Sequence, residues 1–207
     1  MLCAVVMTGL VAYRTFGRTA DVPTAATFAR TRVRDSGEPP SAGQPMGGQS
    51  APITLVLFSD FQCQYCRKMD ETLRELRRRY PGKVSVLFRH YPLPFHPEAI
   101  PAAIAAECAG DQNKFDRFAE IAFTNQDSIG ILSWRELAGR AGVVDLPRFE
   151  KCRESGQVNG RIKRDGELGS RLRIRGTPAL VLGHEMVSGA MSLDSLNAWI
   201  GSSSWRK

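Results

Sequence analysis

Two cysteines three positions apart, Cys63 and Cys66, stand at the boundary between two kinds of segment. An apolar run over 53–58 precedes them, and a segment with helical periodicity follows over 67–80. Two cysteines at this spacing, placed where a strand gives way to a helix, are typical of a redox-active pair. Disulfide exchange needs one sulfur that attacks or is attacked and a second thiol that resolves the mixed disulfide. The pair therefore predicts thiol–disulfide chemistry.

The position of each cysteine on the helix predicts a different environment for each sulfur. Cys63 lies at the helix N-terminus, where unpaired backbone N–H groups and the helix dipole favour a thiolate. In such motifs the pKa of the first thiol falls to between about 3.5 and 7.5. Cys66 shares an apolar stripe with Met69, Leu73, Leu76 and Tyr80, so we expect it to point inward.

Two other uses of a C-x-x-C pair remain as alternatives. A zinc site would need two more ligands at suitable spacing. The sequence has no second C-x-x-C, and His90, His96 and His184 form no ligand pair. We therefore expect no metal and no other cofactor. A purely structural disulfide across the four residues is the second alternative.

The segments around the pair predict a mixed sheet covered by helices. Apolar runs predict four strands, at 53–58, 84–88, 179–182 and 185–188. The first two strands should be parallel because a helix joins them. The last two should form a hairpin, because Gly183-His184 is a two-residue turn with glycine first. A closing helix follows over about 192–200.

A helical block fills about 97–173, between the second strand and Gly176-Thr177-Pro178. Ser133 begins a capping box, and Asp111 and Asp145 are expected to cap two further helices. The spacing of apolar residues predicts a buried stripe that runs from Ile100 through Ile104 to Cys108.

Three stretches of this chain resemble the DsbA-like thiol:disulfide interchange proteins of the thioredoxin superfamily. They are Phe58 to Cys66, Ala105 to Gln112 with Lys114-Phe115 after it, and Gly176 to Ala179. The resemblance covers about 51–200. It implies an α/β, thioredoxin-like fold with a helical domain inserted between the second core strand and the cis-proline.

The same resemblance implies roles for individual residues. Cys63 would be the nucleophile and Cys66 the resolving thiol of a Cys-Gln-Tyr-Cys site. Thr177-Pro178 would be the cis-proline pair beside the disulfide, where an extended substrate can pair with the backbone. The implied substrates are reduced or misfolded exported proteins, and the implied partner is a quinone-linked membrane protein that reoxidises the site.

The remaining cysteines of the helical block suggest a second disulfide. Some members of the resembled family carry one in the helical domain, and an oxidising compartment favours pairing. We therefore expect a bond between Cys108 and Cys152. Two buried free thiols are the alternative.

Two positions depart from the family pattern and leave the redox potential open. Members often have proline after the first cysteine, where this chain has Gln64. Many relatives place a buried acid six residues before the nucleophile, where this chain has Leu57. Asp60 is expected at the rim, where its charge would raise the pKa of Cys63. The chain could therefore act as an oxidase, as a reductase or isomerase, or as a non-catalytic module that holds unfolded chains.

The N-terminal part predicts export or anchoring. Residues 1–18 begin with an apolar stretch whose length suits a secretory signal or an anchor, with a buried core helix as the alternative. Residues 19–52 are expected to form a flexible tether, since the second half of this segment is rich in Pro, Gly and Ser. The folded domain is expected over 53–202, with a tail over 203–207. We expect a periplasmic or other extracytoplasmic location.

The composition is that of one folded domain with a basic surface. Hydrophobic residues make up 43% of the 207 positions, and the net charge is +7. Many of the basic residues lie in helical runs such as 74–79 and 161–175, which is typical of solvated helix faces. Aromatic residues are not interleaved with these runs, so we expect no nucleic-acid partner.

Overall fold

The computed structural model describes residues 29–33, 43–47 and 51–202. These residues form six strands, seven α-helices and one short 3₁₀ turn, Gln126–Ser128. The strands are β1 (Arg30–Arg32), β2 (Gln44–Met46), β3 (Ile53–Ser59), β4 (Val84–His90), β5 (Ala179–Leu182) and β6 (Glu185–Ser188). The helices are α1 (Gln64–Arg79), α2 (Ala99–Gly110), α3 (Phe115–Thr124), α4 (Trp134–Arg140), α5 (Leu146–Ser155), α6 (Asn159–Arg171) and α7 (Leu193–Ser202).

The strands form one mixed sheet in the order β1-β6-β5-β3-β4-β2. β3 and β4 are parallel, as their helical connection predicts, and β5 and β6 form the expected antiparallel hairpin. β3 lies between β4 and β5, so the strand that leads to Cys63 is held by hydrogen bonds on both sides. The predicted order of strand, helix, strand, helical block, hairpin and helix is confirmed.

The first helix buries the predicted apolar stripe except for its last residue, Tyr80, whose expected burial is wrong. Cys66, Met69, Leu73 and Leu76 face the core, whereas Tyr80 is half-exposed just after the last turn. The core continues into the helical block through a group of packed aromatic rings. Its members are Phe61, Phe88, Phe115 and Phe123. The helical block and the sheet therefore share one apolar core.

Two of the three predicted helix caps in the block are confirmed. Ser133 Oγ accepts a hydrogen bond from the backbone N–H of Glu136 at 3.1 Å. Asp145 Oδ1 accepts one from the N–H of Arg148 at 2.9 Å. The cap at Asp111 is wrong: α3 begins at Phe115, three residues later than a cap at Asp111 requires.

The expected burial of Ile100 is also wrong, since this residue is 56% exposed. It lies in the first turn of α2, on the side away from the core. Most of the buried residues of this helix are alanines, and they are distributed around the helix axis instead of forming one narrow stripe. The four-residue spacing from Ile100 through Ile104 to Cys108 therefore wrongly predicts that the first residue of the stripe is buried.

Part of the segment expected as a tether contributes strands to the sheet. β1 pairs with β6 and β2 pairs with β4, both antiparallel, so these two strands form the edges. Pro45 fits an edge strand, because an edge position does not need its missing N–H. Strands of three residues leave no periodic signal, which is why the sequence pattern places the start of the domain at 53.

The predicted signal or anchor over 1–18 and the predicted tail over 203–207 lie outside the described residues. Within the ranges that are described, no helix has both the length and the apolar character that crossing a membrane requires.

Candidate active site

The two cysteines of the predicted redox pair lie where β3 passes into α1. A short turn follows Ser59, and Cys63 takes the N-cap position of the helix. The Cys63 carbonyl oxygen accepts hydrogen bonds from the N–H of Cys66 at 2.9 Å and of Arg67 at 3.2 Å. Cys63 is 6% exposed and Cys66 is fully buried, and both thiols are free. The Cys63 sulfur thus lies at the N-terminal end of the helix near the surface, and the Cys66 sulfur lies in the protein interior.

The Cys63 sulfur lies among groups that favour its charged form. The hydrogen bond from the Cys66 thiol contributes most and lowers the pKa of Cys63 to about 5, although burial opposes ionisation. The Thr177 side chain and the backbone N–H groups of Tyr65 and Cys66 add to the effect. Cys63 is therefore a thiolate at neutral pH, as its helix position predicts.

The Cys66 sulfur has the opposite environment. Burial raises the pKa of Cys66 well above its usual value, and the neighbouring Cys63 thiolate raises it further. Leu57, at the position of the missing acid, is fully buried and supplies no proton acceptor. Cys66 therefore keeps its proton while Cys63 is charged, and the two sulfurs are ready for different steps of an exchange reaction.

The Thr177-Pro178 pair lies directly beside Cys63. Antiparallel pairing of β5 with β3 sets Ala179 opposite Phe58 and so brings the preceding residues to the sulfur. The Thr177–Pro178 peptide bond is cis, and the Thr177 carbonyl oxygen lies 3.3 Å from Cys63 Sγ. The sheet thus joins two stretches that the sequence separates by 114 positions.

Asp60 is buried, so its expected position at the rim is wrong. Its Oδ1 accepts a hydrogen bond from the N–H of Gln62 at 2.8 Å. Its Oδ2 accepts a second hydrogen bond from the N–H of Leu93 at 2.8 Å. The same oxygen lies 2.8 Å from His96 Nδ1. The carboxylate fastens the turn before Cys63 to the loop after β4.

Gln126 is a site residue that the sequence pattern does not indicate. Its buried side-chain Nε2 donates to the carbonyl oxygens of Phe61 at 2.7 Å and Cys63 at 3.0 Å. One amide group from the helical block thus holds both ends of the turn that carries the nucleophile. A single glutamine in a helical block gives no sequence signal for this contact.

A buried charged cluster lies behind the site and joins four elements. Glu107 on α2 contacts His90 Nε2 at 3.0 Å, accepts from Gln44 Nε2 at 2.8 Å and pairs with Arg161. Burial alone would raise the pKa of Glu107, but the contacts with His90, Arg161 and Gln44 outweigh it and hold that pKa below its usual value. The carboxylate is therefore charged inside the protein and ties α2 and α6 to β4 and β2.

The other predicted cysteine pair lies in the helical block. Cys108 on α2 and Cys152 on α5 form a disulfide with an S–S distance of 1.94 Å and a Cα–Cα distance of 5.8 Å. The bond closes a loop of 44 positions within the block. In the part of the chain that the structure covers, no group of three His, Cys, Asp or Glu side chains could hold a metal ion.

Comparison with known proteins places this geometry in context. The thioredoxin family model matches residues 41–202. A solved structure of the thiol-disulfide exchange protein alpha-DsbA2 from Wolbachia pipientis is similar, with a TM-score of 0.66 and 21% identity over 77% of this chain and 86% of that one. A periplasmic thioredoxin-like protein from Salmonella enterica serovar Typhimurium has a TM-score of 0.61 and 27% identity over 79% of this chain and 90% of that one.

Among curated proteins, a match occurs with part of a Na(+)/H(+) antiporter NhaA 3 from Salinispora tropica. The identity is 31% over 160 residues, which are 77% of this chain and 24% of that protein. The chain spans about a quarter of the length of the curated relatives that it matches. The antiporter name therefore describes proteins of which only a minor part is similar to this chain.

Proposed function

This chain belongs to the thioredoxin family and has the DsbA-type arrangement of its helices, and on that premise we propose that it exchanges disulfides with protein thiols through Cys63 and Cys66. The observation that carries the proposal is the contrast between the two sulfurs. Cys63 is held as a thiolate at a helix end, with a pKa lowered to about 5, while burial holds the proton on Cys66. A structural disulfide needs no such difference between its two sulfurs.

The proposed cycle starts from the oxidised pair. A substrate thiolate attacks Cys63 Sγ, so a bond forms between these two sulfurs and the Cys63–Cys66 bond breaks. Cys66 leaves with the electron pair and takes up a proton. A second substrate thiolate then attacks the substrate sulfur of the mixed disulfide, and Cys63 leaves as a thiolate. The substrate is oxidised by two electrons and the Cys63–Cys66 pair is reduced by two.

The stability of the Cys63 thiolate favours the oxidising direction. Contacts that stabilise the Cys63 thiolate act only in the reduced protein, so they stabilise the reduced form and make the disulfide a stronger oxidant. A reductase or isomerase would use the same two sulfurs but would need a more reducing potential. The reduction potential of the pair, measured in glutathione buffers, distinguishes these directions.

We place this activity outside the cytoplasm. The Cys108–Cys152 disulfide supports an oxidising compartment, since such bonds rarely persist in the cytosol. The similar Salmonella enterica protein is described as periplasmic. Reduced or misfolded exported proteins are the proposed substrates, and a quinone-linked membrane protein is the proposed oxidant for the reduced pair. Residues 1–18 are the proposed signal or anchor.

The test is thiol–disulfide exchange by the full chain. We expect the wild-type protein to speed the oxidative refolding of a reduced substrate protein, and we expect Cys63→Ala to abolish this activity. Activity that survives in Cys63→Ala would exclude the proposed mechanism. A non-catalytic module that holds unfolded chains would instead suppress aggregation equally well when both Cys63 and Cys66 are replaced by alanine.

A further inference from the structure

The hydroxyl of Ser59 is an unusual group next to the redox pair. Ser59 is the last residue of β3 and is 1% exposed. Its backbone carbonyl accepts a hydrogen bond from the N–H of Tyr91 at 2.9 Å, so the backbone is satisfied. Its Oγ, however, makes no ordinary hydrogen bond to any described residue. Buried polar groups in folded proteins nearly always have partners, so this orphan group requires an explanation.

The group that the Ser59 hydroxyl faces is the Cys66 thiol. The Ser59 hydroxyl is near enough to lower the pKa of Cys66 by favouring its charged form, against the larger effects of burial and of the Cys63 thiolate, which raise it. The Thr177 hydroxyl is also buried without an ordinary partner, but it acts on both sulfurs. Ser59 is thus the hydroxyl on the inner side of the pair, four positions before Cys63.

We propose that Ser59 is a catalytic residue of disulfide exchange, whose hydroxyl donates a hydrogen bond to the Cys66 sulfur whenever that sulfur becomes charged. The inference rests on the proposed function, because Cys66 is charged only during exchange. The buried hydroxyl has no ordinary partner in the reduced protein because its partner is the transient Cys66 thiolate.

The step in which this hydrogen bond acts is the opening of the Cys63–Cys66 disulfide. An incoming thiolate forms a bond to Cys63 Sγ, the bond between the two cysteines breaks, and Cys66 leaves with the electron pair. The Ser59 O–H stabilises the negative charge on Cys66 until solvent returns a proton. In the reverse step Cys66 loses that proton, attacks Cys63 Sγ of the mixed disulfide and expels the substrate thiolate. A better leaving thiolate departs faster, so the hydroxyl accelerates the opening of the disulfide.

A hydroxyl at this position has an advantage that an acid at Leu57 would lack. A carboxylate beside the pair would repel the thiolates and raise the pKa of both sulfurs. A neutral O–H donor stabilises the Cys66 thiolate without adding negative charge beside Cys63. With apolar Leu57 and buried Ser59, the site can therefore stabilise the Cys66 thiolate without a carboxylate beside the pair.

The test compares Ser59→Ala with a matched control, Ser85→Ala. Ser85 is also a buried serine of the sheet, but its hydroxyl lies 3.0 Å from Thr54 Oγ1 and 3.3 Å from the carbonyl oxygen of Ile53. The first measurement is the rate at which glutathione opens the oxidised full chain, a step in which Cys66 is the leaving group. The second is the rate at which iodoacetamide alkylates Cys63 in the reduced protein.

We expect Ser59→Ala to slow the opening by glutathione about ten- to a hundredfold, as the loss of one hydrogen bond to a charged group predicts. Its alkylation rate should stay unchanged, Ser85→Ala should match the wild type in both measurements, and Ser59→Thr should recover most of the opening rate. Equal opening rates for Ser59→Ala and the wild type would overturn the role of Ser59. So would a loss that Ser85→Ala shares. A wild-type disulfide that glutathione does not open would instead refute the proposed function.

Discussion

Replacing Cys66 with alanine tests the origin of the low pKa of Cys63. The hydrogen bond from the Cys66 thiol is the largest contribution to this pKa, which is about 5 instead of the usual 9.0. In Cys66→Ala this donor is lost, while the helix end and the backbone N–H groups remain. The pKa of Cys63 should therefore rise part of the way towards its usual value.

The expected size of the rise follows from the strength of one hydrogen bond. A hydrogen bond to a charged group contributes about 1.5–3 kcal/mol, and about 1.4 kcal/mol corresponds to one pKa unit. We therefore expect the pKa of Cys63 to rise from about 5 to about 6–7 in Cys66→Ala. Cys66→Ser is the matched control, because its hydroxyl can still donate to the thiolate and should keep the pKa closer to that of the wild type.

The assay is a pH titration of the Cys63 thiolate in the reduced wild type, in Cys66→Ala and in Cys66→Ser. Either the ultraviolet absorbance of the thiolate or the rate of alkylation by iodoacetamide reports the pKa, with the variant that lacks both Cys63 and Cys66 as the blank. If Cys66→Ala titrates at the pH of the wild type, the helix end and the backbone donors account for the whole effect and our reasoning is refuted. A rise in Cys66→Ser as large as in Cys66→Ala would also contradict it.

Three further predictions concern the groups that hold the site. Gln126→Ala removes two hydrogen bonds to the turn, so the disulfide-exchange rate should fall several-fold while the circular dichroism spectrum stays unchanged. Replacing both Cys108 and Cys152 with alanine should lower the free energy of unfolding by about 2–4 kcal/mol in denaturant titrations, and an unchanged midpoint would argue against a stabilising bond. Folding lowers the pKa of Glu107 below its usual value of 4.5. Its charge therefore stabilises the folded protein at pH values above 4.5, and this contribution is lost as the pH falls through the lowered pKa. Glu107→Gln should therefore be less stable at neutral pH and should lose less stability on acidification than the wild type does.

The sequence predicts the parts of the fold that depend on local pattern. The apolar run before Cys63, the stripe on α1 and the turn at Gly183 each carry their signal within a few residues. The same holds for the caps at Ser133 and Asp145, whose hydrogen bonds reach three positions along the chain. The two cysteines are recognisable because their spacing itself determines the chemistry.

The sequence does not predict the contacts that depend on distant partners. Asp60 is misplaced because the groups that bury it, Leu93 and His96, lie more than thirty positions away. Gln126 is missed because its partners are backbone carbonyls, which look the same at every position. Ser59 is missed for a different reason: its significance lies in an absent partner, which only the folded arrangement reveals.

The short edges of the sheet have a consequence for a protein proposed to act on unfolded chains, because they limit aggregation with those chains. A sheet edge offers unpaired N–H and C=O groups that can capture an extended chain and start aggregation. Here each edge is a strand of only three residues. One edge is exposed and carries Arg30 and Arg32, and the other contains Pro45. Under the proposed function, an extended substrate would therefore meet no long sheet edge among the described residues, and the backbone beside Cys63 would be left as the place where it pairs.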